Sequence, residues 1–275
     1  MGRRVVRAGR AGPDDAVTVH AHDFDADTAL EDGSGGRRRG WAPEHWFVAR
    51  GPNGGFLAAL AARAAEAEAG RPLRSLSLHF AAAPAVGPLE VHATLEREGR
   101  SFTAATLRIE QEGRPMVLGV ATLGELADAG AEWASGAPPA ATPLDELDPP
   151  APEATGAPAF LRNYDMRPAL YEDGGHVTGA WMRTREPRAL DAPLAAAMTD
   201  AWAPVAFAVL GRAVLAPTLD LTIHVRRPLP PEGMAAGDFV LGRFSSRHAL
   251  GGVWEEDGEL ARLDQELALV REPGP

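Results

Sequence analysis

Two histidines and three aspartates crowd one short segment: His20, His22, Asp23, Asp25 and Asp27. These residue types can ligate a metal. A calcium loop, however, needs Gly at its sixth position and Glu at its twelfth, and this segment has neither. No zinc spacing fits either, so an exposed lead-in strand is the expectation, with no metal and no cofactor. His79 and His224 each fall inside a strand-like segment, which reads as a shared structural position rather than a catalytic base. The chain has no Cys, which excludes disulfides, thiolate ligands and a Cys nucleophile. Gly54 and Gly55 open an apolar helical run. Backbone N–H groups at a Gly-rich helix start, helped by the helix dipole, can hold a developing oxyanion. The competing reading is that glycine there only permits close packing or a special turn.

The elements that position such groups must be built by 275 residues of 45% hydrophobic content, enough for one large domain or two of ordinary size. A formal net charge of −11 argues against nucleic acid, since phosphates would be repelled without a strong basic patch, and only pairs such as Arg226-Arg227 are present. All 27 basic residues are Arg, a bias of composition rather than of chemistry. The Arg-rich start has no apolar core of secretory length after it, and no stretch is long and apolar enough to span a membrane. A cytoplasmic location is expected.

From residue 124 to 159 the chain turns rich in Ala, Pro and Gly and reads as a linker. On either side, at 20–123 and 160–271, lie segments of similar order: a lead-in, an Ala-rich helix, then amphipathic strands separated by Gly turns. An offset of 145 aligns them, placing Pro72 on Pro217, Leu76 on Leu221, His79 on His224, Ser101 on Ser246 and Gly113 on Gly258. A helix is expected over Phe56–Ala67, stopped by Gly70 and Pro72. Strands are expected at Leu76–Phe80, Leu89–Arg97, Phe102–Glu110 and Met116–Leu123, with Glu98-Gly99 and Glu112-Gly113 at the turns. One helix wrapped by a consecutive antiparallel sheet is an α+β arrangement. Two copies would pack side by side into one continuous sheet.

The segment "GPNGGFLAALAARAAEA", then "SLSLHF", "GPLEV" and "EREGRSFTAATLRIEQEGRP", resembles the N-terminal hotdog of the acyl-CoA thioesterase II family. "MTDAWAPVAF", "APTLDLTIHVRRPL" and "DGELARLDQELALV" are similar to its second hotdog. The likeness covers roughly residues 24–123 and 160–271. It implies a double hotdog and hydrolysis of fatty acyl-CoA to free acid and CoA. It also implies a site made by an Asp at the start of the second central helix, a Thr at the start of the next strand and a Gln on the final strand. Position by position these are Asp200, Thr218 and Gln265. Subtracting 145 gives Gly55, Leu73 and Val120, so the first half carries none of the three polar groups. Taken singly, an Asp near a helix start is commonly a cap and a strand Thr is ordinary; loss of the whole trio from one copy favours function.

The chemistry is modest, because a thiolate with a pKa of about 8.5 leaves without strong acid help. Asp200 would take a proton from water that Thr218 and Gln265 orient, while Gly54 and Gly55 face the thioester oxygen. Thr222 and Asp220 lie close to Thr218 and are candidates to share its work, Thr222 also as a substrate contact. Arg97, Arg100, Arg226 and Arg227 could meet CoA phosphates but read more simply as solvated surface. A hotdog hydratase would need a paired Asp and His with an Asn-containing loop, and neither Asn53 nor Asn163 has that setting. The alternative is a non-catalytic acyl-CoA or acyl-chain binding protein, since fold does not guarantee activity. An internally paired hotdog already supplies the dimer that single-copy relatives need, and further assembly into homo-oligomers is open.

Overall fold

Asn53 followed by two glycines and a run of Ala and Leu forces a helix that can be surrounded by protein. The computed structural model describes residues 23–126, 139–148 and 157–261. Within them α1 is Phe24–Asp27, β1 Glu31–Asp32, β2 Arg37–Ala42 and α2 Gly54–Ala69. Ten of the 16 residues of α2 are buried. The Asn53 side chain caps its start by accepting from Phe56 N, and Gly70, at φ 60°, ends it.

The strands that wrap α2 are β3 Leu73–Phe80, β4 Gly87–Glu98, β5 Phe102–Gln111 and β6 Arg114–Gly124. Each matches its expected segment and lengthens it by a few residues. In β5, Thr103, Ala105, Leu107 and Ile109 point inward while Phe102, Ala104, Thr106 and Arg108 point out, the period of two that one buried face requires. Glu112 and Gly113, with φ of 53° and 72°, make the tight β5–β6 turn.

The second half supplies β7 Tyr164–Glu172, β8 Val177–Thr184, α3 Ala192–Met198, α4 Val205–Leu210 and β9 Asp220–His224. These are followed by β10 Val240–Ser245, the short hairpin β11 Ala249–Leu250 and β12 Val253–Trp254, and β13 Asp257–Ala261. Two short helices replace the single expected one. A seven-stranded antiparallel sheet runs β1-β2-β4-β5-β6-β3-β9, and a four-stranded sheet runs β13-β10-β8-β7. The fold is a double hotdog, and the joint between its halves is the β3–β9 pair. Among the described residues β9 has no bond to the four-stranded sheet.

That joint explains the offset of 145. In the β3–β9 register Ser77 faces Thr222, and 222 − 77 is 145; Leu76 faces Ile223 and Leu78 faces Leu221, the partners that exchange when 145 is added. A local twofold axis therefore passes between Ser77 and Thr222, whose hydroxyls lie 2.9 Å apart. The offset does not persist to the end of the chain. Gly258 is not a turn but lies inside β13 opposite Phe244, and Ser246 follows β10 whereas Ser101 precedes β5. The inserted β11–β12 hairpin shifts the later strands out of step.

Leu76, Leu78, Leu221 and Ile223 point into one apolar cluster that takes in α2, α3 and strands of both sheets. Part of the expected linker also packs: Leu144 and Leu147 lie against a smaller cluster of Ala169, Leu170, Trp181 and Leu241, and the Trp181 indole donates to the Thr142 carbonyl at 3.0 Å.

The lead-in segment is not a strand where it is described. Asp23 accepts from Asp25 N and Ala26 N and so caps α1, while His20 and His22 lie outside the described residues. Asp27 accepts from the Trp46 indole at 2.9 Å and contacts the His45 ring at 2.7 Å. Asp25 pairs with Arg63 and with Arg188, whose guanidinium sits 4.9 Å from the Phe24 ring centre and also holds Asp191, the cap of α3. The three aspartates are structural, and Arg188 ties the lead-in to the second half. The Arg188 hydrogen bonds, with a smaller contribution from Arg63, hold the Asp25 carboxyl below the usual carboxylate range. A group depressed on folding adds stability above its unfolded pKa and loses it as pH falls through the folded value. Asp25 is half exposed, so screening discounts the pair. Arg188→Ala is expected to cost roughly 1–2 kcal/mol of stability at neutral pH, with the gap from wild type narrowing in acid, as urea titrations at two pH values would show.

Candidate active site

Helix α3 is a run of small apolar residues, all seven of them buried. It ends at Met198, and Thr199 turns the chain by returning its N–H to the Ala195 and Ala197 carbonyls. Asp200 follows in that turn. It stands at the end of a helix, not at the start of one as the family likeness led us to expect. The helix start it meets belongs to the other half.

Among the described residues, donors from both halves hold its carboxylate. Gly55 N donates to Oδ2 at 3.1 Å, and Asn53 Nδ2 donates to the same oxygen at 3.1 Å and to the Asp200 carbonyl at 2.7 Å. Thr218 Oγ1 donates to Oδ1 over a long 3.3 Å. Gly55 and Asp200 are themselves 145 apart, so the carboxylate of the second half lands on the first turn of α2, where two orphan amides and the helix dipole favour a negative charge. The absent side chains make the approach possible. A Cβ on Gly54 would lie 2.9 Å from Asp200 Oδ2, and one on Gly55 would lie 2.3 Å from the Ala197 carbonyl oxygen.

Thr218 lies two residues ahead of β9, with its hydroxyl beside Asp200. Gln265 lies outside the described residues. Thr222 is not brought into this group: Leu221 and Ile223 on either side are buried, so Thr222 faces the opposite side of the sheet, toward Ser77. Asp220 does line the same cavity as Asp200 and Thr218, a space of about 270 Å³ that Trp202, Trp254 and Glu256 also border. His79 lies opposite Asp220 in the β3–β9 register.

Sequence reasoning missed three residues. Asn53 was dismissed for a hydratase yet bridges α2 to Asp200; an Asn directly before Gly-Gly and a helical run is a cap signal that could have found its position. Glu256 is 8% exposed and accepts from Val205 N at 2.7 Å, thereby holding α4 beside the cavity. Tyr164 is buried, edge-on to Trp46 with ring centres 5.9 Å apart, and among the described residues its hydroxyl has no hydrogen-bond partner. Burial first, and the nearby Asp200 charge second, push its hydroxyl well above the usual phenol range, so it stays a neutral donor. Nothing in the spacing of the chain marks Tyr164 as a neighbour of Asp200.

No helix among the described residues is long and apolar enough to cross a membrane. The acyl-CoA thioesterase N-terminal domain family matches residues 42–124, and the acyl-CoA thioesterase C-terminal domain family matches residues 138–271. An uncharacterized protein of Mycobacterium tuberculosis is 33% identical over 221 residues, covering 69% of this chain and 75% of that protein. A hot dog fold protein of Alicyclobacillus acidocaldarius superposes with a TM-score of 0.81 at 25% identity, over 92% of this chain and 99% of that one. An acyl-CoA thioesterase II of Mycobacterium marinum superposes with a TM-score of 0.69 at 20% identity, over 92% and 99%. The two halves, the fold and the matched domains agree: the chain belongs to the acyl-CoA thioesterase family and hydrolyses acyl-CoA thioesters.

Proposed function

We propose that this protein releases fatty acids from fatty acyl-CoA, with Asp200 as the general base and Thr218 and Gln265 as the groups that orient the attacking water. The observation that carries this reading is the placement of the Asp200 carboxylate. It is fixed from both halves of the molecule at the wall of a cavity that also holds the Thr218 hydroxyl. Asp200 takes a proton as the water oxygen attacks the thioester carbon, and the tetrahedral intermediate then collapses with loss of the CoA thiolate. A base held in place by N–H donors loses little geometry between ground and transition states. In this scheme the Gly55 N–H serves the base, while the missing side chain of Gly54 leaves Asp200 Oδ2 room.

The test is release of free CoA, followed with a thiol reagent, from acyl-CoAs of medium and long chain. Turnover supports the reading, whereas stoichiometric binding without CoA release would favour an acyl-chain carrier. Thr218→Val keeps the side-chain volume and removes the hydroxyl. Because the bond to Asp200 is long, the expected loss in kcat is roughly tenfold, or about 1.4 kcal/mol, with KM little changed, and Thr218→Ser should restore most of it. Gln265→Ala is expected to lower kcat by a similar factor.

A further inference from the structure

The space of about 270 Å³ at Asp200 has walls of two kinds. Asp200 and Thr218 belong to its chemistry, but Trp202 and Trp254 also border it, as do three aliphatic residues. These are Leu215, Leu219 and Val253, each more than half exposed. Aliphatic groups left in water around one opening mark a place where an apolar ligand binds. Among the described residues no Arg or His borders the space, so it suits a hydrocarbon better than the phosphates of CoA.

The two tryptophans are held differently. Trp202 follows Asp200 by two residues, and its indole donates to the Thr178 hydroxyl at 3.0 Å, which ties it to β8 of the four-stranded sheet. Trp254 ends β12, and among the described residues the β11–β12 hairpin joins neither of the larger sheets. Neighbouring residues close the hairpin: the Glu255 carboxylate accepts from Arg247 N at 2.8 Å and from His248 N at 2.9 Å. Leu250 lies opposite Val253 in the hairpin and both are exposed, whereas Trp254, on the other side of the pleat, is half-buried. One indole at the cavity is therefore anchored to the core. The other is carried by an element that neither sheet needs for its hydrogen bonds.

We propose that this space is the acyl-chain subsite and that Trp254 sets the length of chain the enzyme prefers. This rests on the reading of the Asp200 cavity as the place of hydrolysis. Counting about 30 Å³ per carbon, the share of one water in the liquid, the space takes an acyl group of roughly eight carbons. Medium-chain acyl-CoAs are thus the preferred substrates, and longer chains run past Trp254 and over the exposed Leu250 and Val253.

The experiment measures kcat/KM for straight-chain acyl-CoAs of four to sixteen carbons, kept below the concentrations at which they form micelles, in the wild type, Trp254→Ala and Trp254→Phe. In the wild type it should rise by about fourfold per added methylene, the gain from burying one in an apolar site, and stop rising at about eight carbons. Trp254→Ala should move that break by about four carbons, the room that the indole vacates, and leave butanoyl-CoA within about twofold. Trp254→Phe should fall between the two. An equal loss at every chain length overturns the proposal, since Trp254 would then touch the CoA arm or only support the fold. So does a break that stays in place in Trp254→Ala, or a wild type indifferent to chain length; hydrolysis at Asp200 is left standing by both results. If no chain is hydrolysed, the reading of the site fails separately, and the subsite is judged by the affinities of the same acyl-CoAs in calorimetry. Affinity that ignores chain length, or that follows it identically in the wild type and Trp254→Ala, overturns the proposal.

Discussion

Asp200→Asn is expected to lower kcat by a factor of about 10² to 10⁴, the range that a positioned general base commonly supplies, with the melting temperature close to that of the wild type. The hydrogen bonds explain why fold and activity should separate. Oδ2 accepts from both Gly55 N and Asn53 Nδ2, and an asparagine can place its carbonyl oxygen there and satisfy both donors. Its amide then falls at the Oδ1 position, where the Thr218 hydroxyl can turn and accept instead of donate. Each of these described groups keeps a partner, but nothing remains to take a proton from water. Asp200→Ala is the contrasting variant. It leaves the Gly55 amide without its acceptor and the Asn53 side chain with the Asp200 carbonyl alone, which should cost a further 1–3 kcal/mol or so in stability. Paired kinetics and thermal melts on the two variants therefore distinguish a base from a tether. If the Asn variant kept wild-type kcat, Asp200 would be a structural cap and no more.

Most of the first half was legible in its sequence because β5 and most of β4 alternate buried with exposed residues and the turns carry glycine. Thr103 to Ile109 bury every second residue, and Gly70 and Gly113 occupy positive φ where the chain stops or reverses. The offset between the halves was legible for the same reason. It was strongest over the strand at Leu76–Phe80, which lies against its own counterpart in β9. Farther along, the second half breaks its pattern. Its helical region splits into α3 and α4, and the β11–β12 hairpin inserts residues that a fixed offset does not follow.

The site was legible as a list of residue types and not as a place. Sequence puts Asp200 after an apolar run and before "AWAP", which reads equally well as the end of one helix or the beginning of the next. Only the packing of α3 against α2 decides that the carboxylate crosses to the other half and meets Gly55. Asn53, 147 residues away, becomes its neighbour through that same contact. No local rule ties two such positions together, since each is explained within its own segment by capping. Thr222 shows the opposite failure. It is near Thr218 in sequence, but it lies within a regular strand while Thr218 precedes it, and the pleat turns Thr222 toward Ser77.

Alanine at positions 54 and 55 should separate what the two glycines do. By helix propensity alone each change favours folding, since Ala is preferred over Gly by about 1 kcal/mol within a helix. At Gly55 sterics outweigh that gain. The added Cβ would lie 2.3 Å from the Ala197 carbonyl oxygen and 2.9 Å from Asn53 Oδ1. The first of these belongs to the backbone and cannot swing aside. The end of α3 must retreat, and Asp200 retreats with it, breaking the bond from Gly55 N. Gly55→Ala is therefore expected to lose roughly 1–3 kcal/mol of stability, the usual cost of overpacking a close contact, together with at least a hundredfold in kcat/KM. At Gly54 the added Cβ would meet only side-chain atoms, Asp200 Oδ2 at 2.9 Å and Phe80 Cζ at 3.3 Å. Those can shift by rotation, so Gly54→Ala should fold with wild-type stability or better while still displacing the base and lowering kcat. Equal stability of the two variants in urea would show that the close approach of α2 and α3 does not constrain Gly55. Full activity in Gly54→Ala would show that the position of Asp200 Oδ2 is not what the reaction depends on.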